Sequence, residues 1–376
     1  MSSDVWTGAD ESAPPDIPPA PARRVPLWGK VGIGASVALA VIVIAGFVIH
    51  VPYTTISPGA TVALRDKVQV SGTQTYQADR GDIRLLFVRE RAHVSLWNYV
   101  IGYFDTNTDI VKDSVFNPDN QPQRRVNEQS AQEMTDAKNA ATKVALEAAG
   151  YHVGVLPGLI ARDFQAGAPA DKALDYGDII VSADGKTVAT AKNLSDAIAR
   201  HKVGEKVALG IVRGGKRMTI DVGVALNKDN GRRIIGVVLS PRFNFPFKVS
   251  VDTAGIGGPS AGLAMTLAIL DDLTPGNLTG GLRVAVTGTI KPDGTVGPIG
   301  GILQKAVAVR AAGARIFIVP KCVTGDTACA LELQRVGQRV GNKIKVMPVA
   351  TFQDALEVLR AAGGAPVVPV AAPSAA

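Results

Sequence analysis

Hydrophobic and polar positions divide the chain into three kinds of stretch. From Val31 to Ile49, 19 consecutive residues carry no charge, and Val, Ile, Ala and Leu dominate. At ~1.5 Å per residue such a helix matches a bilayer core of ~30 Å, and it has no amphipathic stripe. Further on, Met134, Ala137, Ala141, Val144, Ala145 and Ala148 recur at intervals of three and four and predict a helix over 130–149. Ser130 with Glu133 reads as its capping box and Gly150 as its stop. Shorter apolar runs bounded by turn residues predict strands at Ile83–Arg89, Val153–Phe164, Val207–Val212 and Arg283–Ile290. Helical stretches are expected at Asn193–His201, from Pro259 through Leu270, and around Lys305 to Gly313.

The flanks of the long apolar run give it a direction. Arg23, Arg24 and Lys30 precede it and Trp28 sits at its edge. The positive-inside bias then predicts a retained signal anchor over 28–50 with residues 1–27 as a disordered cytoplasmic tail. Everything after it is expected outside, making the protein single-pass in the cell membrane with an extracytoplasmic body. Residues 363–376, rich in Pro and Ala, are expected to form a second disordered tail.

Composition removes several classes. A chain of 376 residues is long enough for two or three cores. The net charge of +7 comes without a basic run of five, so no nucleic-acid partner is expected. Two cysteines, four histidines and no H-E-x-x-H pattern predict no metal site, and no cofactor is expected. Asp184-Gly185-Lys186-Thr187 ends like a phosphate-binding loop, but Ile180 stands where the first glycine is required.

The chemistry concentrates at Gly255-Ile256-Gly257-Gly258-Pro259-Ser260-Ala261-Gly262. Glycines permit a sharp turn, Pro259 suits a first helical position, and Ser260 falls where unpaired backbone N–H groups converge. That is a favourable place for a nucleophile and its oxyanion. The local pattern is G-x-S-x-G, yet His50, His93, His152 and His201 all precede it, whereas hydrolase triads of that kind place histidine after the serine. A lysine is the better base. Lys305 opens an Ala/Val-rich helix after Val296-Gly297-Pro298-Ile299-Gly300-Gly301-Ile302-Leu303-Gln304. Burial would disfavour its charged form and lower its pKa.

Two resemblances follow from these residues. Ala168-Pro169-Ala170 followed by Leu174, Gly177-Asp178-Ile179-Ile180 and Asp184-Gly185 resembles a PDZ domain over 151–226. By that resemblance a C-terminal peptide would lie between Gly158–Phe164 and Asn193–His201. Its carboxylate would sit near Leu156, Pro157, Gly158 and Leu159, although no clean G-L-G-F loop is present. The blocks G-G-P-S-A-G and T-G-T-I … V-G-P-I-G-G-I-L-Q-K resemble the two signatures of Lon-type serine–lysine peptidases over about 234–360. The resemblance implies Ser260 as nucleophile, Lys305 as base, and Thr287, Gly258, Pro259 and Ala261 in support. The chain carries Gly257 and Thr289 where ATP-dependent members carry acidic residues.

The fold expected is α+β: an N-terminal transmembrane helix, a PDZ-like β-rich module and a Lon-type α/β proteolytic domain. The resemblance implies that 51–150 is the first part of that domain, that 151–226 is inserted into it, and that 227–362 completes it. The function expected is a membrane-anchored, ATP-independent serine endopeptidase of the membrane-anchored, PDZ-containing Lon-like subgroup. It would act on flexible exported or membrane proteins, dock partners through the PDZ module and possess the option of homo-oligomerisation. The alternative is a non-catalytic PDZ scaffold for extracytoplasmic partners. Cys322 and Cys329 would be ~10 Å apart on one helix, too far to bridge, but Thr324-Gly325-Asp326 supplies a turn that favours a disulfide over two buried thiols.

Overall fold

The computed structural model describes residues 27–76, 80–118, 121–227, 230–253 and 255–370. The tail expected over 1–27 falls outside this set up to residue 26, as do 371–376.

Helix α1 covers Leu27–Val48. Among the described residues no helix is long and apolar enough to cross a membrane. The last turns of α1 serve as a packing surface: Gly46 is buried and the Trp97 indole donates to Val43 O at 2.9 Å. This corrects the transmembrane signal anchor. It also removes the basis for the single-pass membrane localisation, the cytoplasmic/extracytoplasmic sidedness, the membrane-anchored subgroup, and the exported or membrane protein partners.

The body is a mixed α/β fold built on two sheets. Strands β1 (Tyr53–Ala63), β2 (Val68–Ser71) and β3 (Asp82–Arg91) are followed by helix α2 (Leu96–Phe104) and strand β4 (Asp109–Lys112). Helix α3 runs over Gln123–Ala148. It begins seven residues before Ser130 and is preceded by Pro122 as N-cap, so Ser130 and Glu133 are interior and form no capping box. Gly150, with φ 92°, follows the last turn.

The next segment folds on itself. Strands β5 (Gly154–Phe164) and β6 (Ile179–Ala183) precede helix α4 (Ala191–Ile198), which in turn precedes β7 (Lys206–Arg213), β8 (Lys216–Gly223) and β9 (Val237–Asn244). They form an antiparallel sheet in the order β9-β5-β6-β7-β8. Leu159, Ile180, Leu194, Leu209 and Val222 fill its core. The sheet therefore includes a strand beyond residue 226.

Strand β10 (Lys248–Val251) pairs back with β2, returning the chain to the first sheet. Helix α5 (Gly262–Leu273), strand β11 (Arg283–Val286), helix α6 (Ile302–Ala311) and strand β12 (Ile316–Pro320) come next. Helix α7 (Thr327–Val340), strand β13 (Lys345–Val349) and helix α8 (Phe352–Ala361) complete the order. The first sheet runs β13-β12-β11-β3-β1-β4, with β11 parallel to both β12 and β3. Strands from before and after the β5–β9 segment thus share one ladder.

Both faces of this sheet are covered, as parallel strands require. Leu85, Val284 and Val286 pack with α3 and α5 through Ala141, Ala145, Leu267 and Leu270. Leu86, Ala285 and Phe317 point the other way, to Ala306 and Val309 of α6 and Val336 of α7. The period-two alternation of β3 and β11 therefore sorts side chains between two cores. The Pro/Ala-rich end differs from the expected tail as far as it is described: Ala365 N–H donates to Asn277 O at 2.8 Å and Val370 N–H to Ala149 O at 3.0 Å.

Candidate active site

Ser260 lies in a single 3-10 turn, Pro259–Ala261, that leads into α5. The sequence predicts one continuous helix here; the tighter turn arises because the chain must enter from a left-handed residue, Gly258, at φ 79°. Gly262 then opens the α-helix against the strand Thr289–Ile290, and a Cβ at Gly262 would meet Ile290 Cγ2 at 2.8 Å. A larger residue would push the serine turn away from the sheet.

Three interactions fix the turn from below. Gly288 N–H donates to Ser260 O at 2.9 Å, and Leu263 N–H donates to Gly288 O at 3.0 Å. The Thr287 hydroxyl donates to the same Ser260 carbonyl at 3.2 Å. Thr287 is buried and directly follows β11, whose pairing on both sides sets its position.

Lys305 arrives from the opposite direction. It sits in the first turn of α6, where its N–H donates to Gly301 O at 3.0 Å. Its side chain is only 2% exposed. Its Nζ lies 3.0 Å from Ser260 Oγ and 3.2 Å from Thr287 Oγ1. Burial pushes the amine down from its ordinary value of 10.5 to about 8, against a smaller opposing pull from the Glu90 carboxylate. A group near 8 holds a useful fraction of neutral amine at neutral pH.

Two contributors have no signature in the residue pattern. Ser130 O, on α3, accepts from Gly258 N–H at 3.2 Å and so ties the glycine loop to that helix. A Cβ at Gly257 would come within 2.3 Å of Ser130 Oγ, so any side chain there requires that hydroxyl to turn away. Glu90 faces Lys305 from the end of β3. A repulsive or attractive charge could be sought in the sequence, but nothing local to Glu90 marks it; Ser130 acts through a backbone carbonyl that any residue supplies.

A cavity of about 670 Å³ opens over the pair, walled by Phe87, Glu90, Gln129, Glu133 and Gly257. A second, of about 250 Å³, adjoins it through Glu133 and Pro259 and is closed by Pro241 and Phe243 of β9. Burial raises the carboxyl pKa of both Glu133 and Asp136 along this wall.

Of the remaining residues singled out in the sequence, three lie beside the serine and the others apart from it. Pro259 and Ala261 flank the serine within its turn, and the Gly258 N–H is already engaged by Ser130. Leu156, Pro157, Gly158 and Leu159 belong to β5, with Leu159 in the core of the second sheet. Cys322 and Cys329 form a disulfide with Cα atoms 5.7 Å apart. Asp326 caps α7 by accepting from Cys329 N–H at 3.0 Å. His201 is held by Asp184 at 2.8 Å on the second sheet's unit and takes no part at Ser260.

Comparison with known proteins divides the chain along similar lines. Residues 132–224 match the PDZ domain family, and residues 251–361 match the Lon protease (S16) C-terminal proteolytic domain. A Lon protease of Desulfatibacillum aliphaticivorans is 34% identical over 116 residues, covering 30% of this chain and 13% of its own length. An archaeal Lon protease of Archaeoglobus fulgidus is 26% identical over 208 residues, covering 55% of this chain and 28% of its own. The chain spans about an eighth of the length of the first relatives it matches. The solved PDZ domain of an SdrC-like protein from Listeria monocytogenes is 26% identical, covering 23% of this chain and 90% of that one at a TM-score of 0.22. The similarity over the C-terminal region is to the proteolytic domain of these Lon proteases.

Proposed function

We propose that the chain is an ATP-independent serine endopeptidase of the Lon type. Ser260 is its nucleophile and Lys305 its general base. The observation that carries this reading is the 3.0 Å approach of a buried lysine Nζ to the serine Oγ. The neutral amine takes the Ser260 proton as Oγ attacks a peptide carbonyl, and returns it to the leaving amine. Water, deprotonated by the same amine, then releases the acyl group. The backbone N–H groups of Ser260 and Ala261, first in their turn, are the donors offered to the oxyanion, since Gly258 N–H is committed to Ser130. Thr287 Oγ1 accepts from Lys305 Nζ and keeps it aimed at the serine.

No phosphate-binding loop pattern occurs in the sequence, so the substrates of this reading are flexible or already unfolded polypeptides. The proteolytic domain is formed by the chain before β5 and after β9, and the PDZ-type unit, expected over 151–226 and extended by β9, is inserted between them as a docking element. A serine-directed fluorophosphonate probe tests the reading. It should label the wild-type chain and neither Ser260→Ala nor Lys305→Ala, and cleavage of an unfolded polypeptide without nucleotide should follow the same order. Equal labelling of all three chains would sink it.

A further inference from the structure

The serine loop and one wall of the cleft depend on the same helix. Ser130 O of α3 accepts from Gly258 N–H at 3.2 Å, and Glu133 follows one turn later. Positions three apart share a helix face, so the face that meets the loop also carries the Glu133 carboxylate. Glu133 and Pro259 both line the cavity of about 670 Å³ over Ser260 and the adjoining one of about 250 Å³. A polypeptide running from one cavity into the other past the nucleophile meets this side chain.

The carboxylate is half-buried and short of a cation. Gln129 Nε2 donates to it at 3.3 Å, which satisfies an oxygen but not the charge. Arg162 acts on it from a distance and stands 4.0 Å from Asp136 instead. Among the described residues no cation pairs with Glu133. Burial accordingly raises its pKa above the ordinary value, and Asp163 and Asp136 push the same way. Withdrawing a carboxylate from water without a partner is costly, and a cation brought by a ligand would offset that cost.

The rest of the cleft narrows what that ligand is. Over Ser260 the cavity is walled by Phe87, Val88, Phe116 and Val126, and its only charged lining residues among those described are Glu90, Glu133 and Lys305. Lys305 is uncharged in the form that serves as base on the proposed mechanism. The working cleft then presents carboxylates and no cation over the serine. A guanidinium meets a carboxylate through two parallel hydrogen bonds, which makes arginine the best-matched side chain.

We propose that Glu133 selects polypeptides carrying a basic side chain, arginine above all, beside the peptide bond to be cut. This rests on the peptidase reading of Ser260 and Lys305 and names the substrate class of that same cleft.

The test uses the full chain and internally quenched peptides of Ala and Leu. One arginine, or its neutral isostere citrulline, occupies each position near the cut in turn. At about pH 9 Lys305, with its value of about 8, is mostly neutral while the guanidinium keeps its charge. At one position or more, kcat/KM for the arginine peptide should exceed that of its citrulline twin by about ten-fold or more. Glu133→Gln should lower this ratio roughly five-fold or more, mainly through KM, and Glu90→Gln should lower it less. A smaller wild-type ratio at every position, a smaller fall in Glu133→Gln, or an equal fall in Glu90→Gln overturns the proposal. If Glu133→Gln fails to fold, binding decides. The chain carrying Ser260→Ala should bind a fluorescein-labelled arginine peptide about ten-fold more tightly than the citrulline one, and equal binding overturns it. Fluorophosphonate labelling keeps the two readings apart. A chain that labels at Ser260 but ignores the arginine sinks this proposal alone; one that neither labels nor cleaves sinks both.

Discussion

Lys305 Nζ lies 3.0 Å from Ser260 Oγ across 45 positions of sequence. Burial, with no compensating carboxylate at contact distance, sets the protonation of the amine. On the proposed mechanism the neutral amine is the base, so kcat/KM on an unfolded polypeptide should rise with pH along a single ionisation near 8 and level off above it. A profile governed by an ionisation near 6.5 would assign the base to a histidine instead.

The same ionisation has a consequence for stability. The folded-state value of about 8 lies below the ordinary 10.5, so between these values the unfolded chain binds more protons and stability rises with pH. Below pH 8 the cost of burying the charge is present in full. The gap corresponds to ~3 kcal/mol. Lys305→Met should therefore stabilise the chain by about 2–3 kcal/mol at pH 6–7, a gain that vanishes by about pH 10.5 in denaturant titrations.

Thr287 touches both members of the pair, through Lys305 Nζ and Ser260 O. Thr287→Val keeps the shape but removes both contacts. The expected result is a fall in kcat of roughly ten- to hundred-fold with little change in KM, because aim and not substrate binding is lost. Thr287→Ser should restore most of the rate.

A side chain at Gly257 would collide with Ser130 Oγ as it now stands. Gly257→Asp should displace the loop from α3 and lower fluorophosphonate labelling at Ser260 by about ten-fold or more, the order of loss expected from a misplacement of ~1 Å. Paired with Ser130→Gly, which vacates the contact, labelling should recover in part. Recovery absent from the double variant would count against this steric account.

The Cys322–Cys329 disulfide closes a short loop at the start of α7. Replacing both cysteines with serine should cost about 2–3 kcal/mol in the chain-entropy account. Labelling at Ser260 should be unchanged, since Asp326 still caps the helix.

Much of the site was legible because its chemistry is written in residue types. Glycines, Pro259 and Ser260 mark a turn, and the Ala/Val-rich surroundings of Lys305 announce its burial. Strand β3 was legible from its own apolar run. Its pairing with β11 was not, since neither strand carries local information about a partner so far along the chain. The start of α3 was missed because the polar stretch before Ser130 resembles a loop until it packs. Strand β9 was hidden by Pro241, which is tolerated because β9 is an edge strand. Neither the hydropathy of the apolar run near the N-terminus nor its basic flanks register that Val43 and Gly46 pack against Trp97.

The shared ladder of β3 and β11 also sets a timetable for synthesis. Arg84 pairs with Ala285, so β3 leaves the ribosome roughly 200 residues before its neighbour exists. At ~5–20 residues per second that is a wait of about 10–40 s. The unit from β5 to β9 is complete well before then and closes on its own strands. Ser260 and Lys305 meet only after most of the last third of the chain has emerged, so a nascent chain carries no assembled Ser260–Lys305 pair while it is itself an unfolded polypeptide.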